Sequence, residues 1–387
     1  MAATKPEIIF TFPIALGGVS SFNFNLINNS KLLKNFYTKV ILLKSKNETR
    51  PAFTEKFNVD EQIIFESSDY ENQYHLQKRF AKLLGNKEGA IVTDNGFTIE
   101  TARRFNIGKT VFSLIHDYYY VNQQIKLGDW SDVAIAHASF FSDAVFASNP
   151  LIWEDRTFYI PYGVKQISHF PSKNKDTLNI VFLGRLETSK GVLDLINIQN
   201  QLLSKNINAH WSIIGIGSLK NLLLQQWQNS NVHFFEPSTT DEVYNLLLKQ
   251  DIFVFPTTFE GTPVAILEGM ACGVVTIVND LPGGIRDIVN DKTGFRCNPN
   301  KPESYVDKIV ELNDNRTLLN EMQHNCFDLA NSNYNVENNS DKYVELFLKY
   351  KEYARATKSS VRELKKLDKA YFPNLFTSTI RKIKGKP

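Results

Sequence analysis

Short apolar runs alternate with longer amphipathic stretches along the whole chain. In the first half, the runs predict five β-strands: EIIFTFP (7–13), TKVILLK (38–44), GAIVTD (89–94), TVFSLIH (110–116) and AVFASN (144–149). In the second half, they predict five more: NIVFLG (179–184), AHWSIIG (209–215), VHFFE (232–236), DIFVFP (251–256) and VVTIVN (274–279). Apolar strands that alternate with helices are typical of parallel sheets covered on both faces. We therefore expect an α/β chain with two doubly wound, Rossmann-like domains.

A polar segment, VKQISHFPSKNKDTLN (164–179), separates the two series of strands. It carries a proline and lacks apolar periodicity, which is typical of a domain boundary. We expect an N-terminal domain over 1–165, a C-terminal domain over 176–345, and a C-terminal helix with a basic tail over 346–387. Since ligands of open parallel sheets bind at the carboxyl ends of the strands, the two domains are expected to face a common cleft.

Composition agrees with a globular chain of two domains. Its 387 residues exceed the size of one ordinary hydrophobic core, and 42% are hydrophobic and 22% charged. Three widely spaced cysteines, Cys272, Cys297 and Cys326, have no metal-ligand spacing and are expected to be free thiols in a reducing cytoplasm. No segment approaches the roughly 20 apolar residues of a membrane-spanning helix, and no signal peptide is apparent.

Charge is concentrated at the C-terminal end. Residues 355–387 contain ten Lys or Arg against two acids, a net charge of +8, which leaves −5 for the rest of a chain whose formal net charge is +3. The stretch YFPNLFTSTIRKIKGKP also mixes apolar and basic residues, as membrane-surface segments do. An anionic membrane surface or another polyanion is one partner that this pattern predicts, and a solvated helical face is the alternative.

Two acids stand close together in FEGTPVAILEGMACG (259–273). Pro263 suits the first turn of a helix, so Glu268 falls in the second turn, several ångströms deeper than Glu260 in the loop. The backbone amides at the helix start favour an anion, so a diphosphate between two hydroxylated rings would satisfy the whole stretch. A capping or salt-bridging role for Glu268 is the structural alternative. The loop residues expected to bind such a ligand are Gly261, Thr262, Pro263 and Val264.

Two further strand ends carry chemistry that suits a diphosphate. In VFLGRLETSKG, Arg185 offers a planar fork and Lys190 a mobile point charge, although two exposed loop cations would look the same. In IIGIGS (213–218), Gly215 and Gly217 allow the backbone to approach a ligand closely.

Together, GRLETSKGVLDLI, IIGIGSLKNLL and FPTTFEGTPVAILEGMACGVVTIVNDLPGGIRDIVNDKTGF resemble the donor-binding half of retaining nucleotide-sugar glycosyltransferases of family 4, which have the two-domain GT-B fold. Order and spacing match over 160–296. FPIALGGVSSF and SLIHDYY resemble the first domain of the family more loosely. IPYGVK departs from the pattern, because Tyr162 and Lys165 stand where the family usually has Asn and Asp.

The resemblance implies roles for the donor-side residues. Glu268 corresponds to the acid that binds the donor ribose, and Glu260 to the acid that faces the transferred sugar. Arg185 and Lys190 correspond to the diphosphate clamp.

In the first domain, Gly17 and Gly18 resemble the glycine pair whose backbone approaches the donor phosphates or the acceptor. His116 resembles the histidine close to the reacting sugar carbon, although a histidine at a strand end is often structural. The expected catalytic set is His116, Glu260, Arg185 and Lys190. Residues that would line the acceptor cleft, with packing or helix capping as alternatives, are Asp94, Asn95 and His137.

The implied activity is that of a retaining hexosyltransferase. It would move a sugar from a nucleotide-diphosphate sugar, with UDP favoured on family frequency, to a glycan or lipid-linked acceptor. The chain contains no Asp-x-Asp pair, so no metal ion is expected. No other cofactor and no nucleic-acid partner are expected either. The resemblance also implies a C-terminal helix that crosses back to the first domain. The expected location is cytoplasmic, with the tail on the inner face of the membrane.

Three other functions are alternatives to this one. A glycosidase also uses two carboxylates, about 5 to 9 Å apart, but it has no use for adjacent phosphate-binding cations. A nucleotide-sugar epimerase of the same fold stays open, and product analysis with donor alone would reveal it. An inactive nucleotide-sugar-binding scaffold also stays open, and donor hydrolysis would exclude it.

Overall fold

The computed structural model describes residues 5–15, 17–173, 177–227, 229–299 and 301–384. The chain forms two compact units, Met1–Pro161 with Ser340–Pro387, and Tyr162–Asn339. The boundary between the two units, after Pro161, thus lies just ahead of the polar segment 164–179. Lys386 of the tail, residue 16 of FPIALGGVSSF and residues 174–176 of the polar segment lie outside the described residues.

Within the described residues, the sheet of the first unit has seven strands, all parallel, in the order β3-β2-β1-β4-β5-β6-β7. The strands are β1 Glu7–Pro13, β2 Tyr37–Ser45, β3 Glu61–Ser67, β4 Gly89–Thr93, β5 Thr110–Ile115, β6 Val133–Ala136 and β7 Thr157–Tyr159. Phe10 of β1 pairs with Val40 and with Val92, and all three are buried, because helices cover both faces of the sheet.

Four of the described helices of the first unit, α2 to α5, begin at a polar side chain that caps them. Asn72, Asn95 and Asp117 each accept a hydrogen bond from a backbone amide in the first turn that follows, which satisfies donors that a helix leaves unpaired. The helices are α1 Gly18–Ile27, α2 Ser30–Asn35, α3 Gln73–Leu84, α4 Gly96–Arg104, α5 Tyr118–Leu127, α6 Ser139–Ser148 and α7 Pro150–Trp153.

The described part of the second unit has a parallel six-stranded sheet in the order β10-β9-β8-β11-β12-β13. Its strands are β8 Asn179–Leu183, β9 His210–Ile214, β10 Val232–Phe235, β11 Ile252–Phe255, β12 Val275–Asn279 and β13 Gly294–Cys297. Its helices are α8 Asp194–Ser204, α9 Lys220–Gln226, α10 Thr240–Leu247, α11 Val264–Ala271, α12 Gly284–Ile288, α13 Pro302–Asp314 and α14 Arg316–Asn333. The predicted α/β class with two doubly wound, Rossmann-like domains is confirmed.

The C-terminal segment returns to the first unit, as expected. It forms α15 Val336–Leu348, α16 Tyr350–Tyr353 and α17 Asn374–Lys384. Phe347 of α15 packs edge-to-face against Phe10 and Phe112, with ring centroids 6.1 and 5.0 Å apart. The aromatic side chain thereby joins the core of the first sheet.

The prediction of a strand at AVFASN (144–149) is wrong, because this stretch lies in α6. Phe141 and Val145, one helical turn apart, are buried, whereas Phe146 is exposed, which is helical rather than strand periodicity. Strands β6 and β7, which are only four and three residues long, were not predicted. Strand β13 was not predicted either, nor was β3, an edge strand whose polar residues interrupt the apolar run.

The described residues contain no helix that is long and apolar enough to cross a membrane. The three cysteines are free and buried, and burial raises the pKa of the Cys272 thiol to about 12.

Candidate donor-binding site

The motif-bearing loops of the second unit follow neighbouring strands of one sheet. GRLETSKG follows β8, IGS follows β9, and the loop with Glu260 follows β11. Strands β9, β8 and β11 are adjacent and parallel, so their carboxyl ends lie along one edge of the sheet. The three loops therefore converge at the edge where open α/β sheets bind ligands.

Gly215 and Gly217 allow two of these loops to pack against each other. A Cβ atom at Gly215, whose φ is +142°, would overlap the carbonyl oxygen of Gly184, and one at Gly217 would overlap the backbone of Leu186. Backbone hydrogen bonds join the same loops, from Leu186 N to Ile216 O at 2.9 Å. The close approach that the glycines permit is made here by protein backbone, while their contact with a donor stays a prediction.

Glu187 binds the glycine-containing turn after β9, a contact that no motif in the sequence indicated. Its carboxylate accepts hydrogen bonds from the backbone amide of Ser218 at 3.2 Å and from the Ser218 hydroxyl at 2.9 Å. These hydrogen bonds, followed by the nearby charge of Arg185, hold the pKa of Glu187 below its usual range. Glu187 therefore stays ionised, and its hydrogen bonds connect the loop after β8 to the loop after β9.

Lys190 and Glu260, which lie 70 positions apart, form an ion pair with side chains only 15% and 11% exposed. The Thr257 hydroxyl lies 3.1 Å from Oε1 of Glu260, and the Thr258 amide donates to Ser189 O at 2.9 Å. The predicted diphosphate-binding cation and the predicted sugar-facing acid thus meet in one polar cluster.

Two buried polar side chains form hydrogen bonds that hold the backbone next to this cluster. The Asn279 side-chain amide donates to Thr257 O at 2.8 Å, and the Tyr305 hydroxyl donates to Oδ1 of Asn279 at 2.9 Å. Both side chains are buried. The network holds the backbone of the loop that carries Glu260, and no motif in the sequence indicated it.

Arg185 is placed differently from Lys190. Its side chain is exposed, and it forms no hydrogen bond or ion pair with any residue that the structure describes. Its guanidinium is therefore available to an anionic ligand.

Glu268 lies in the second turn of α11, as predicted, and is partly buried. Burial raises the pKa of its carboxyl to about 7, and it has no hydrogen-bond partner among the described residues. Its side chain forms neither a capping hydrogen bond nor a salt bridge, the two structural alternatives, with any residue that the structure describes. Pro263 differs from the prediction by one residue: it is the N-cap, with ψ of 95°, and the helix begins at Val264.

Gly17 and Gly18 mark the start of α1 in the first unit, and both are exposed. A Cβ atom at Gly17 would meet nothing within 4 Å, and its φ of 166° is ordinary extended backbone. The described protein itself therefore does not require glycine at position 17.

His116 is buried at the end of β5, with its Nε2 atom 3.5 Å from Oδ2 of Asp94. The rings of Phe22 and Tyr120 pack against it, with centroids 5.9 and 5.0 Å away. Burial, followed by the negative charge of Asp94, raises the pKa of Tyr120. The structure thus brings together His116 and Asp94, which the sequence analysis had placed in different roles.

His137 and Asn95 make structural contacts. The His137 ring stacks on that of His116, with centroids 4.6 Å apart, and its Nδ1 atom lies 2.7 Å from the Tyr343 hydroxyl. Burial, followed by the nearby His116, lowers the pKa of His137 well below its usual value. The Asn95 side chain caps α4 by accepting a hydrogen bond from Phe97 N at 2.9 Å. The packing and capping alternatives are thus observed, and acceptor contacts stay predictions.

Comparison with known proteins agrees with the geometry of the second unit. The profile of the family "Glycosyl transferases group 1" matches residues 164–328. The chain is 28% identical over 206 residues to the UDP-Gal:alpha-D-GlcNAc-diphosphoundecaprenol alpha-1,3-galactosyltransferase of Escherichia coli, a match that covers 49% of this chain and 53% of that protein. It is 25% identical over 290 residues to the N,N'-diacetylbacillosaminyl-diphospho-undecaprenol alpha-1,3-N-acetylgalactosaminyltransferase of Campylobacter jejuni, covering 70% of each. The chain thus spans about half the length of the first of these relatives.

Solved structures agree in fold. HepE of Anabaena, crystallised with UDP and glucose, superposes with a TM-score of 0.70 at 14% identity, covering 89% of this chain and 99% of HepE. Sucrose-phosphate synthase of Thermosynechococcus elongatus gives the same TM-score, identity and coverage. Residues 164–328 therefore match the group 1 glycosyl transferases, and the chain has the GT-B fold of two Rossmann-like domains.

Proposed function

We propose that this chain is a retaining hexosyltransferase that moves a sugar from a UDP-sugar to a lipid-linked or glycan acceptor without a metal ion. The observation that carries the proposal is the polar cluster of Lys190 and Glu260, with the exposed Arg185 on the same loop as Lys190 and Glu268 in the helix that follows Glu260. Cations and acids on loops at one sheet edge suit a donor whose diphosphate lies between two hydroxylated rings.

Each group has a chemical task in this proposal. The guanidinium of Arg185 and the ammonium of Lys190 bind the diphosphate and stabilise the negative charge that develops on it as the sugar leaves. Glu260 and Glu268 accept hydrogen bonds from hydroxyls of the transferred sugar and of the ribose. Because Lys190 is already held by Glu260, it is positioned before the donor arrives, which lowers the cost of ordering it.

The reaction with retention needs no nucleophilic side chain. The bond between the anomeric carbon and the diphosphate oxygen breaks, and the acceptor hydroxyl oxygen bonds to the same face of that carbon. The leaving phosphate takes the acceptor proton. With protein cations at the phosphate, this scheme requires no divalent ion, so transfer is expected to persist in EDTA.

Relatives support the choice of substrates. The name of the E. coli relative specifies UDP-Gal and an undecaprenol diphosphate acceptor, and the C. jejuni relative also acts on an undecaprenol-linked acceptor. A UDP-sugar donor and a diphosphate-lipid acceptor are therefore the first substrates to test. Such an acceptor would bring the chain to the inner face of a membrane, with residues 355–387 contacting the anionic surface.

The test starts with thermal-shift measurements against UDP-, GDP- and ADP-sugars, because a ligand that binds the folded state stabilises it. Transfer is then assayed for Arg185→Ala and Lys190→Ala. Loss of diphosphate contacts is expected to lower kcat/KM by roughly a hundredfold or more, in line with the loss of one transition-state donor. Lys308→Ala, at an exposed lysine that pairs with Glu311, is the matched control.

Near-normal turnover in either loop variant would contradict the diphosphate role. Formation of an epimer from donor alone would favour the epimerase. Donor binding with neither transfer nor hydrolysis would favour the inactive scaffold.

A further inference from the structure

Helix α17 turns its polar side inward and its apolar side outward. Thr377 is fully buried, whereas Leu375, Phe376 and Ile383 are 79%, 49% and 80% exposed. With 3.6 residues per turn, Thr377 and Arg381 lie on one side of the helix, and Phe376 and Ile383 lie on the other. This is the reverse of a helix that packs on a core.

Hydrogen bonds fix this orientation. Asn72, which caps α3, donates from its side chain to Leu367 O at 2.8 Å and from its backbone to Oδ1 of Asn374 at 2.7 Å. Arg381 donates to both carboxylate oxygens of the buried Asp368, at 2.9 and 2.8 Å. The helix cannot bury its apolar side by rotating without breaking this buried ion pair, in which Nη2 of Arg381 contacts both carboxylate oxygens.

The exposed apolar side continues beyond the helix. The ring of Phe372 stacks on that of Phe376, with centroids 5.7 Å apart and planes 7° apart. Tyr371 next to it is 67% exposed. The outward face is defined here as Tyr371, Phe372, Leu375, Phe376 and Ile383, of which Tyr371, Phe372 and Phe376 form a continuous row of ring contacts.

Unpaired positive charge accompanies the outward face. The exposed lysines of this region that form no ion pair with any described residue are Lys365, Lys366, Lys382 and Lys384. Glu363, an exposed acid of the same segment, already pairs with Lys369. The net charge around the face is therefore positive, which is complementary to anionic lipid headgroups.

We propose that the outward face of α17 inserts into the interfacial region of an anionic lipid membrane, with the four lysines at the headgroups. Aromatic and aliphatic residues with flanking lysines are the composition of helices that lie in this region, about 5 to 10 Å deep. The proposal specifies how the membrane partner of the proposed function is contacted. It is tested without sugar transfer, so the two can fail separately.

The experiment measures co-flotation of the full chain with vesicles of phosphatidylcholine and phosphatidylglycerol, and with vesicles of phosphatidylcholine alone. The native chain is expected to bind the anionic vesicles more tightly and to lose binding as salt rises. The double variant Phe376→Ser, Ile383→Ser should weaken binding roughly tenfold or more, because it removes two apolar side chains that would transfer from water into the membrane. Lys382→Gln and Lys384→Gln should each weaken it about fivefold, which corresponds to about 1 kcal/mol.

Leu224→Ser is the matched control, because Leu224 is 44% exposed in the second unit. Urea unfolding is expected to show that all variants remain folded, since the altered side chains are exposed. Unchanged flotation of the Phe376→Ser, Ile383→Ser variant, or no flotation of the native chain, would overturn the proposal. A native dimer that this variant converts to a monomer would overturn it in favour of a second copy of the chain. Thermal shifts with UDP-sugars, measured on the same variants, report separately on the proposed function.

Discussion

Glu268 shows how the setting of a single residue determines its charge state. Its carboxyl is partly buried in α11 and has no hydrogen-bond partner among the described residues, so burial alone raises its pKa to about 7. Near neutral pH it is present in both forms, and the protonated form can donate a hydrogen bond as well as accept one.

Stability should depend on this residue in a defined pH window. The unfolded carboxyl has a pKa of 4.5 and the folded one a pKa of about 7, so ionisation costs stability. That cost is absent below the unfolded pKa, grows between the two values and is complete above the folded one. At about pH 8, Glu268→Gln is therefore expected to raise the free energy of unfolding by up to about 3 kcal/mol, and at about pH 4 to change it little. Urea unfolding at both pH values checks this, with the exposed Glu303→Gln as control. An equal effect at both pH values would contradict the assignment.

At the scale of elements, Gly217 in the loop after β9 of the second unit and Gly17 ahead of α1 in the first unit have different surroundings. A side chain at Gly217 would overlap the backbone of the loop after β8, whereas a side chain at Gly17 would meet only open space. The first glycine is required by the protein, and the second is available to a ligand.

Alanine at the two positions should reveal this difference. Gly217→Ala is expected to lower the free energy of unfolding by roughly 2 kcal/mol or more, because the loops must move apart. Gly17→Ala should change the free energy of unfolding by less than about 1 kcal/mol, the scale of an N-cap replacement. If the backbone at Gly17 contacts the substrate, the same variant should lower the rate of sugar transfer. Chemical unfolding and steady-state kinetics on both variants provide the measurement. Full activity in Gly17→Ala would remove this glycine from the proposed site.

At the scale of the whole molecule, the C-terminal segment is part of the first unit. Ser359 accepts a hydrogen bond from Trp130 Nε1 at 3.0 Å, and the Lys358 ammonium pairs with the buried Asp132 at 2.7 Å. Val361 packs against the core cluster that contains Ile9 and Phe80. The basic tail was predicted as one segment. Its residues 358–361 pack against the first unit, whereas α17 exposes its apolar side to solvent.

Truncation after residue 356 should consequently lower stability as well as membrane binding. It removes the contacts of Ser359, Lys358 and Val361, and leaves the buried carboxylate of Asp132 without its lysine. We expect the thermal midpoint to fall by several degrees, measured by tryptophan fluorescence. An unchanged midpoint would show that the segment adds nothing to the fold. Because truncation has this second effect, substitutions on the outward face are the sharper test of vesicle binding.

The sequence alone determined the parallel α/β architecture and the position of the loops that we propose to bind the donor. Continuous apolar strands, the glycine turns after β8 and β9, and the FEGTPVAILEGMACG stretch are local patterns that need no knowledge of contacts. The same local reasoning failed at AVFASN, where an apolar run of helical periodicity was interpreted as a strand, and at β3, where polar residues interrupt an edge strand.

Only the tertiary structure decided which of the predicted groups meet. Lys190 pairs with Glu260 across 70 positions, and Asn279 and Tyr305 hold the loop of Glu260 from other elements. The sequence showed only that the stretch around α17 mixes apolar and basic residues, whereas its outward apolar face follows from Arg381 being held inward by Asp368. Contacts of this kind depend on how separate elements pack, because side chains distant in the chain become neighbours only when the sheets and helices assemble.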